Sequence, residues 1–338
     1  MMRVISFGLL AGILFAQENP LEKGIAEFNR GKYPAAQALL EKAPDSPQRS
    51  TFLALAQAAL GRCEIAQQQL KEQFENSTDS NLRRLAGLAL TQCQWTHGDS
   101  EGAIHVLSRL KTLYPGDADV LYQSARVYMK GWNDTLYQMF QQVPSSYRVN
   151  QISAEIFEIQ NRYAEAATEY RKAIEKNPQA LNLHFRLGRA LLLESHAPEN
   201  LDAARKEFEK ELELNPGDAV AEYEIGQVLL TRQQPAEAAT HLNRALGINP
   251  EFPEALETLA KLRMDDKQYS ESVTLLERAV RLEPTSESAH YKLMLAYRNT
   301  GRTADAGREE KVLEKLRQAP QGEFSDFLKR LGEKAPKQ

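Results

Sequence analysis

The chain has 338 residues, of which 42% are hydrophobic and 26% are charged, a composition typical of folded globular proteins rather than of disordered chains. Its 42 Lys and Arg residues are outnumbered by 46 Asp and Glu residues, and the net charge of −4 gives no basic excess for nucleic-acid binding. Two cysteines are too few for a disulfide-rich scaffold or a four-cysteine zinc site.

The first sixteen residues have the pattern of a secretory signal peptide. A short cationic start ends at Arg3, an apolar run of thirteen residues extends from Val4 to Ala16, and the chain turns polar at Gln17. Thirteen residues rise about 20 Å as a helix, too short for a bilayer core of about 30 Å. We expect cleavage after Ala16, a periplasmic or secreted protein, and no stable membrane insertion afterwards. The alternative is an uncleaved N-terminal anchor.

A repeat of about 34 residues organises the rest of the chain. Apolar helical segments end at prolines that lie 34 or 38 residues apart: Pro178, Pro216, Pro250 and Pro284. Twelve positions before each proline stands a small residue, and eight positions before it stands a bulky one. The helices that precede these segments carry small residues at equivalent places, namely Gly188, Gly226 and Ala260. The spacing predicts helical hairpins in which a small residue of one helix packs against a large residue of the other.

This pattern resembles the tetratricopeptide repeat (TPR) family, whose 34-residue units are helix–turn–helix hairpins with small residues at position 20 and proline at position 32. Position 20 is small in eight of the nine units that this register gives: Ala36, Ala66, Ala103, Tyr137, Ala166, Ala204, Ala238, Ser272 and Ala306. The resemblance covers roughly residues 17–316 and is strongest between 147 and 300.

The resemblance implies an all-α fold, a right-handed α-solenoid of about nine TPR units. The units are expected near residues 17–46, 47–83, 84–117, 118–146, 147–180, 181–218, 219–252, 253–286 and 287–316. Residues 317–338 are expected to form a C-terminal capping helix and tail, because Phe324, Phe327, Leu328 and Leu331 share one helical face.

The fourth unit departs from the repeat. Only 29 residues separate Ala118 from Tyr147, and the second helix expected over 135–144 lacks the small residue. Aromatic side chains are densest here: Tyr122, Tyr128, Trp132, Tyr137, Phe140 and Tyr147. They indicate either a hot spot for a ligand or partner, or packing at a junction where a short helix leaves room, and packing is the favoured interpretation.

In the TPR family the first helices of the units line a concave groove that binds extended peptides or helices. Carried over residue by residue, the resemblance implies a groove formed by Tyr122, Arg126, Met129, Lys130, Phe185, Arg189, Tyr223, Gln227, Lys261, Tyr291 and Arg298. Aromatic side chains beside Arg and Lys are common anchors of protein interfaces. The alternative is that these residues belong to ordinary solvated helix faces.

The two cysteines fall on neighbouring helices of such an array. Cys63 begins the second helix of the second unit, and Cys93 lies late in the first helix of the third. Because TPR stacking makes these helices antiparallel neighbours, the resemblance allows a Cys63–Cys93 disulfide in an oxidising compartment. Two buried free thiols are an equal alternative.

No catalytic or metal-binding motif is visible. The six histidines form no HExxH or HxxxH pair, and no GxSxG motif or phosphate-binding loop occurs. We therefore expect no cofactor, no metal and no nucleic-acid partner. The expected function is that of a non-enzymatic exported scaffold that binds a protein or peptide of unknown identity, in envelope assembly or secretion. The alternatives are a repeat subunit of an envelope hydrolase or glycan-modifying complex, and a purely structural spacer.

Overall fold

The computed structural model describes residues 19–318, and every regular element in that range is an α-helix. The signal peptide expected over 1–16 and nearly all of the predicted capping segment lie outside the described residues. No helix within 19–318 combines the length and the apolar composition that crossing a bilayer requires. The chain divides into two compact units, one ending at Gln142 and the other beginning at Val143.

The first unit contains three helical hairpins and one long helix. The hairpins are α1 (Pro20–Asn29) with α2 (Tyr33–Leu40), α3 (Pro47–Ala59) with α4 (Cys63–Asn76), and α5 (Ser80–Thr96) with α6 (Ser100–Leu113). Helix α7 spans Ala118–Gln142 and packs against α5 and α6. Its buried side chains, Val120, Ser124 and Val127, all lie in its N-terminal half.

The second unit is a stack of five hairpins. They are α8 (Tyr147–Ile159) with α9 (Tyr163–Lys176), α10 (Leu183–Glu194) with α11 (Pro198–Leu214), α12 (Ala219–Thr231) with α13 (Pro235–Ile248), α14 (Pro253–Asp265) with α15 (Tyr269–Leu282), and α16 (Glu287–Asn299) with α17 (Thr303–Gln318). The second helix of each hairpin also packs on the first helix of the next, so neighbouring hairpins bury one another's apolar faces. The all-α hairpin repeat predicted from the sequence is confirmed.

The fourth predicted unit is wrong in one respect, because α7 continues as a single helix where a hairpin was expected. In seven of the eight hairpins within 19–318 the chain turns through a residue with positive φ, such as Gly61 or Asn161. This residue is the fifteenth of its unit, and in the fourth unit that place belongs to Trp132. A bulky side chain disfavours the left-handed conformation that the turn needs, so the helix runs on.

The predicted interlock of small and large residues is confirmed inside the hairpins. A Cβ atom on Gly188 would lie only 2.6 Å from Cε1 of Phe208, and one on Gly226 would lie 3.1 Å from Cγ of Leu242. Phe208 and Leu242 are fully buried, so each ring or branched side chain fills the space left above a glycine. The glycines therefore set how closely the two helices of a hairpin approach.

Replacing Gly188 by Ala tests this close approach. The added methyl group overpacks the site against Phe208, which outweighs the better helix propensity of alanine and lowers the free energy of unfolding by about 1–2 kcal/mol. Adding Phe208→Leu restores part of the loss. The measurement is urea denaturation followed by circular dichroism.

Gly307→Ala is the matched control, because Gly307 also lies in a helix but no atom comes within 4 Å of the place that its Cβ would take. This variant is expected to gain up to about 1 kcal/mol from helix propensity. Equal effects of Gly188→Ala and Gly307→Ala would contradict the interlock.

Cys63 of α4 and Cys93 of α5 form a disulfide. The S–S distance is 2.02 Å and the two Cα atoms are 5.3 Å apart. Both residues are buried in the core of the first unit, which leaves no free cysteine within the described part of the chain. The disulfide links the second hairpin to the third, and the two cysteines that it joins are 30 residues apart in the sequence.

Removing the bridge with Cys63→Ala and Cys93→Ala is expected to destabilise the first unit by roughly 3–4 kcal/mol, because the unfolded chain regains the entropy of an open loop. Urea denaturation with and without dithiothreitol measures the effect. Reductant should lower the stability of the natural chain but not of the double variant. If reductant leaves the natural chain unchanged, the disulfide does not form in the protein.

Candidate peptide-binding face

Polar side chains join successive first helices of the second unit. Arg186 of α10 lies 3.5 Å from Glu158 of α8. Gln227 of α12 donates a hydrogen bond of 3.2 Å to Thr258 Oγ1 of α14. Further along, the Lys292 ammonium of α16 lies 2.8 Å from a Glu257 carboxylate oxygen of α14. Between α10 and α12 the charge of Arg189 acts on the carboxyl group of Glu224. The outward side chains of α8, α10, α12, α14 and α16 are here called the first-helix face.

Seven predicted groove residues belong to the second unit, and the structure sorts them by exposure. Arg189, Lys261, Tyr291 and Arg298 are exposed on the first-helix face, whereas Phe185, Tyr223 and Gln227 are half-buried. The Phe185 ring lies 5.6 Å from that of Phe208, and the Tyr223 ring 5.0 Å from that of Phe252. These two aromatic side chains thus contribute to packing as well as to the face.

The other four predicted groove residues, Tyr122, Arg126, Met129 and Lys130, lie on α7 in the first unit and are all exposed. The Arg126 guanidinium lies 5.8 Å from the ring centre of Tyr122. Lys130 forms an ion pair of 3.1 Å with Asp134 and lies 5.0 Å from the ring centre of Trp95. The two cations of this helix are therefore engaged within the first unit.

The aromatic side chains of α7 do not fill a packed junction, so the favoured interpretation of this cluster is wrong for five of its six members. Each of the five retains at least 40% of its exposure: Tyr122, Tyr128, Trp132, Tyr137 and Phe140. The physical reason is the missing hairpin, because no second helix of the fourth unit folds back to cover them. Tyr147 alone is half-buried, against the core of the second unit.

Two carboxyl groups of the first-helix face are poorly compensated. Burial raises the pKa of Glu224, and the positive charge of Arg189 offsets this only in part. Burial likewise raises the pKa of Glu158, against the opposing charge of Arg186. Both carboxyl groups are therefore less strongly held in the charged form than an exposed glutamate is.

Glu257 is in the opposite situation. Burial alone would raise its pKa, but hydrogen bonds from Lys292, Ser288 and Ser286 and the charge of Lys292 outweigh burial and hold the pKa below its usual value. The carboxylate of α14 thereby anchors the start of α16. It fixes the spacing of two helices that carry predicted groove residues.

Sequence reasoning missed a set of histidine–glutamate pairs that tie together the two helices of three hairpins. His184 lies 2.6 Å from Glu207, His241 lies 2.6 Å from Glu222, and His290 pairs in the same way with Glu309 at 2.5 Å. His184, Glu222 and His290 all occupy the fourth position of their units. The recurrence at this position can be seen in the sequence, but only the fold shows which side chain faces it.

Glu257→Gln is expected to reduce the free energy of unfolding at pH 7 by about 1–3 kcal/mol, because a charged hydrogen-bond acceptor is lost. A carboxyl group whose pKa is lower in the folded than in the unfolded state stabilises the fold at any pH above the unfolded-state pKa. This stabilisation is lost as the pH falls through the folded-state pKa. The difference in the free energy of unfolding between the natural chain and the variant should therefore become smaller as the pH falls below about 4.5. Urea denaturation at several pH values measures it.

The exposed neighbour Glu254 supplies the control. Glu254→Gln should change stability by no more than about 0.5 kcal/mol at any of these pH values. A gap for Glu257→Gln that stays constant with pH would show that its carboxylate charge does not link α14 to α16.

No group of three or more potential metal-ligating side chains occurs among residues 19–318.

Family models match the second unit of the chain. A model described as TPR repeat matches residues 154–193, and one described as Tetratricopeptide repeat matches residues 197–255. A third, described as Bacterial transcriptional activator domain, matches residues 248–319. The chain contains TPR repeats.

Two curated proteins are similar over part of their length. Protein O-mannosyl-transferase TMTC3 of Homo sapiens is 26% identical over 182 residues, which is 51% of this chain and 19% of that protein. Anaphase-promoting complex subunit 3 of Schizosaccharomyces pombe is 24% identical over 222 residues, which is 62% of this chain and 31% of that protein. The chain therefore spans less than a third of the length of either relative.

Among solved structures, YrrB is described as a TPR protein with an unusual peptide-binding site. It is 18% identical, covers 58% of this chain and 97% of its own, and has a TM-score of 0.44. MamA from Desulfovibrio magneticus RS-1, from residue 41 to its end, is 19% identical, covers 52% of this chain and 97% of its own, and has a TM-score of 0.46.

Proposed function

We propose that this protein is an exported, non-enzymatic TPR scaffold that binds an extended segment of a protein or peptide on its first-helix face, in envelope assembly or secretion. The observation that carries the proposal is the composition of that face. It exposes Arg189 on α10, Lys261 on α14, and Tyr291 and Arg298 on α16, and Tyr223 is half-buried on α12. Cations beside aromatic rings are the residue types that protein interfaces favour.

The exposed cations indicate what the bound segment contains. Arg189 and Lys261 form no ion pair within residues 19–318, whereas Lys292 on the same face is held by Glu257. Lys261 has no carboxylate partner there, and Arg189 has only the longer-range charges of Glu224 and Glu158. Exposed cations held on rigid helices favour carboxylates in a ligand. The partner segment is therefore acidic where it crosses α10 and α14.

Reversing both charges tests the proposal. Arg189→Glu combined with Lys261→Glu should weaken binding of the partner segment at least tenfold, which corresponds to about 1.4 kcal/mol. The partner is recovered by crosslinking in the envelope fraction, and its segment is then titrated in a fluorescence anisotropy assay. Weakening should be smaller at high salt, because ions screen exposed charges.

The matched control reverses two exposed charges on second helices, Arg171→Glu of α9 and Arg281→Glu of α15. This variant has the same net charge as the test variant and should bind within about twofold of the natural chain. If both variants weaken binding of the partner segment equally, the cause is the overall charge of the protein. That result would contradict binding on the first-helix face.

Two independent features support export. The sequence begins with the pattern of a signal peptide, and the first unit carries the Cys63–Cys93 disulfide, a bond that persists in oxidising compartments. Cell fractionation with N-terminal sequencing should find a protein that begins at Gln17 outside the cytosol. A cytosolic protein that retains residues 1–16 would refute the export.

A second candidate is a repeat subunit of a glycan-modifying enzyme complex. The likeness to an O-mannosyl-transferase favours it, although that likeness covers only 19% of the transferase. Co-purification of transferase activity with the natural chain, and its loss with Arg189→Glu and Lys261→Glu, would support this candidate. Recovery of no partner at all would instead support a structural spacer.

A further inference from the structure

The exposed side of α7 carries apolar residues at the spacing of a coiled coil. Steps of three and four residues along the helix meet an apolar side chain each time: Tyr122, Ala125, Met129, Trp132, Leu136 and Met139. These residues, here called the α7 seam, occupy successive a and d positions of a heptad pattern over about 26 Å of helix. They lie on the other side of the helix from Val120, Ser124 and Val127, which face the core.

Four of the six residues of the α7 seam are exposed to solvent, and Leu136 and Met139 are half-buried. Tyr122 is 65% exposed, Met129 63% and Trp132 49%, and the flanking rings of Tyr128 and Phe140 are about as open as Trp132. An aromatic side chain buries about 150–250 Å² when fully covered, so at these exposed fractions the four rings and Met129 together offer on the order of 500 Å². Most of the roughly 800 Å² that each partner buries in a typical specific interface is thus available from these five side chains alone.

We infer that α7 is a dimerisation helix and that its seam pairs, antiparallel, with the same seam of a second copy of this chain. Apolar side chains that repeat every 3.5 residues stay in contact with a partner along the whole helix only when that partner is also a helix. Two such helices supercoil around each other and share this period. An apolar strip for an extended strand or a small ligand would not need it.

The antiparallel pairing is self-complementary. In an antiparallel coiled coil each a position faces a d position, which places Tyr122 opposite Met139 of the second copy and Met129 opposite its Trp132. Both contacts bring a thioether against an aromatic ring, a favourable pair, and symmetry repeats each of them. Ala125 faces Leu136, so a small residue meets a large one. A parallel pairing would instead set Trp132 against Trp132 and Ala125 against Ala125.

The flanks of the seam argue for a second copy rather than a foreign helix. Foreign partners of a coiled coil are usually selected by charges at the e and g positions. Within α7 these positions hold Arg126, Tyr128, Asn133, Thr135, Phe140 and Gln142. Arg126 is the single charged residue among them. The flanks therefore do not repel an identical helix, and they carry no charge pattern that would select a different partner helix.

Sedimentation velocity of the exported full-length protein over a range of concentrations tests the inference. The natural chain should sediment as a dimer, and Met129→Glu with Trp132→Glu should sediment as a monomer with an unchanged circular dichroism spectrum. Ile65→Glu with Ile159→Glu is the matched control, because these two exposed apolar residues lie outside the seam, and it should remain a dimer. A natural chain that stays monomeric, or a seam variant that stays dimeric, would overturn the inference.

Two single-cysteine variants test the orientation. Ala125→Cys and Leu136→Cys should crosslink under mild oxidation when mixed, but neither variant alone should crosslink with itself. The native Cys63 and Cys93 are already bridged and do not interfere. Crosslinking of each variant with itself, together with no mixed crosslink between the two variants, would establish a parallel pair and overturn the antiparallel one. Because the seam lies in the first unit, its failure would leave binding on the first-helix face of the second unit untouched.

Discussion

The close contact between a glycine or alanine of one helix and a large side chain of its neighbour is the constraint on which the rest of this structure depends. Where Phe208 covers Gly188, the helices approach more closely than any Cβ atom would allow. Repetition of this contact gives each hairpin nearly the same shape. Because the shape repeats, polar side chains link neighbouring first helices of the second unit, as Lys292 of α16 does with Glu257 of α14.

The connections between helices decide where that regularity ends. Hairpins turn through a residue that accepts the left-handed conformation, such as Gly61, whereas Trp132 takes this place in α7 and the helix continues. The absence of a hairpin connection in α7 has two consequences. It leaves the aromatic side chains of α7 exposed, and it gives the helix enough length to carry a heptad pattern.

The sequence was sufficient to predict what depends on spacing along the chain. The hairpin repeat and the contact of Gly188 with Phe208 follow from small and large residues at fixed separations. The continuity of α7 does not follow from the repeat, because the register predicts a turn at the fifteenth position of every unit. Even so, the presence of Trp132 at the fifteenth position was a readable signal.

Contacts that depend on three-dimensional neighbours could not be predicted in this way. The pairing of His184 with Glu207 needs the relative rotation of two helices, which residue spacing does not give. Glu211 is a further case, because its buried carboxylate accepts hydrogen bonds from the backbone N–H groups of Asn182 and Phe185 at the start of α10. No local sequence pattern links these positions, since they lie 26 to 29 residues apart.

The central claim is that partners bind on the first-helix face of the second unit. Site-specific photocrosslinking inside the cell tests it most directly, with a photoreactive residue at Tyr291 on that face and, for comparison, at the exposed Leu282 of α15. The account predicts a discrete adduct with a partner protein at Tyr291 and none at Leu282. Adducts of equal yield at both positions, or an adduct at Leu282 alone, would contradict it.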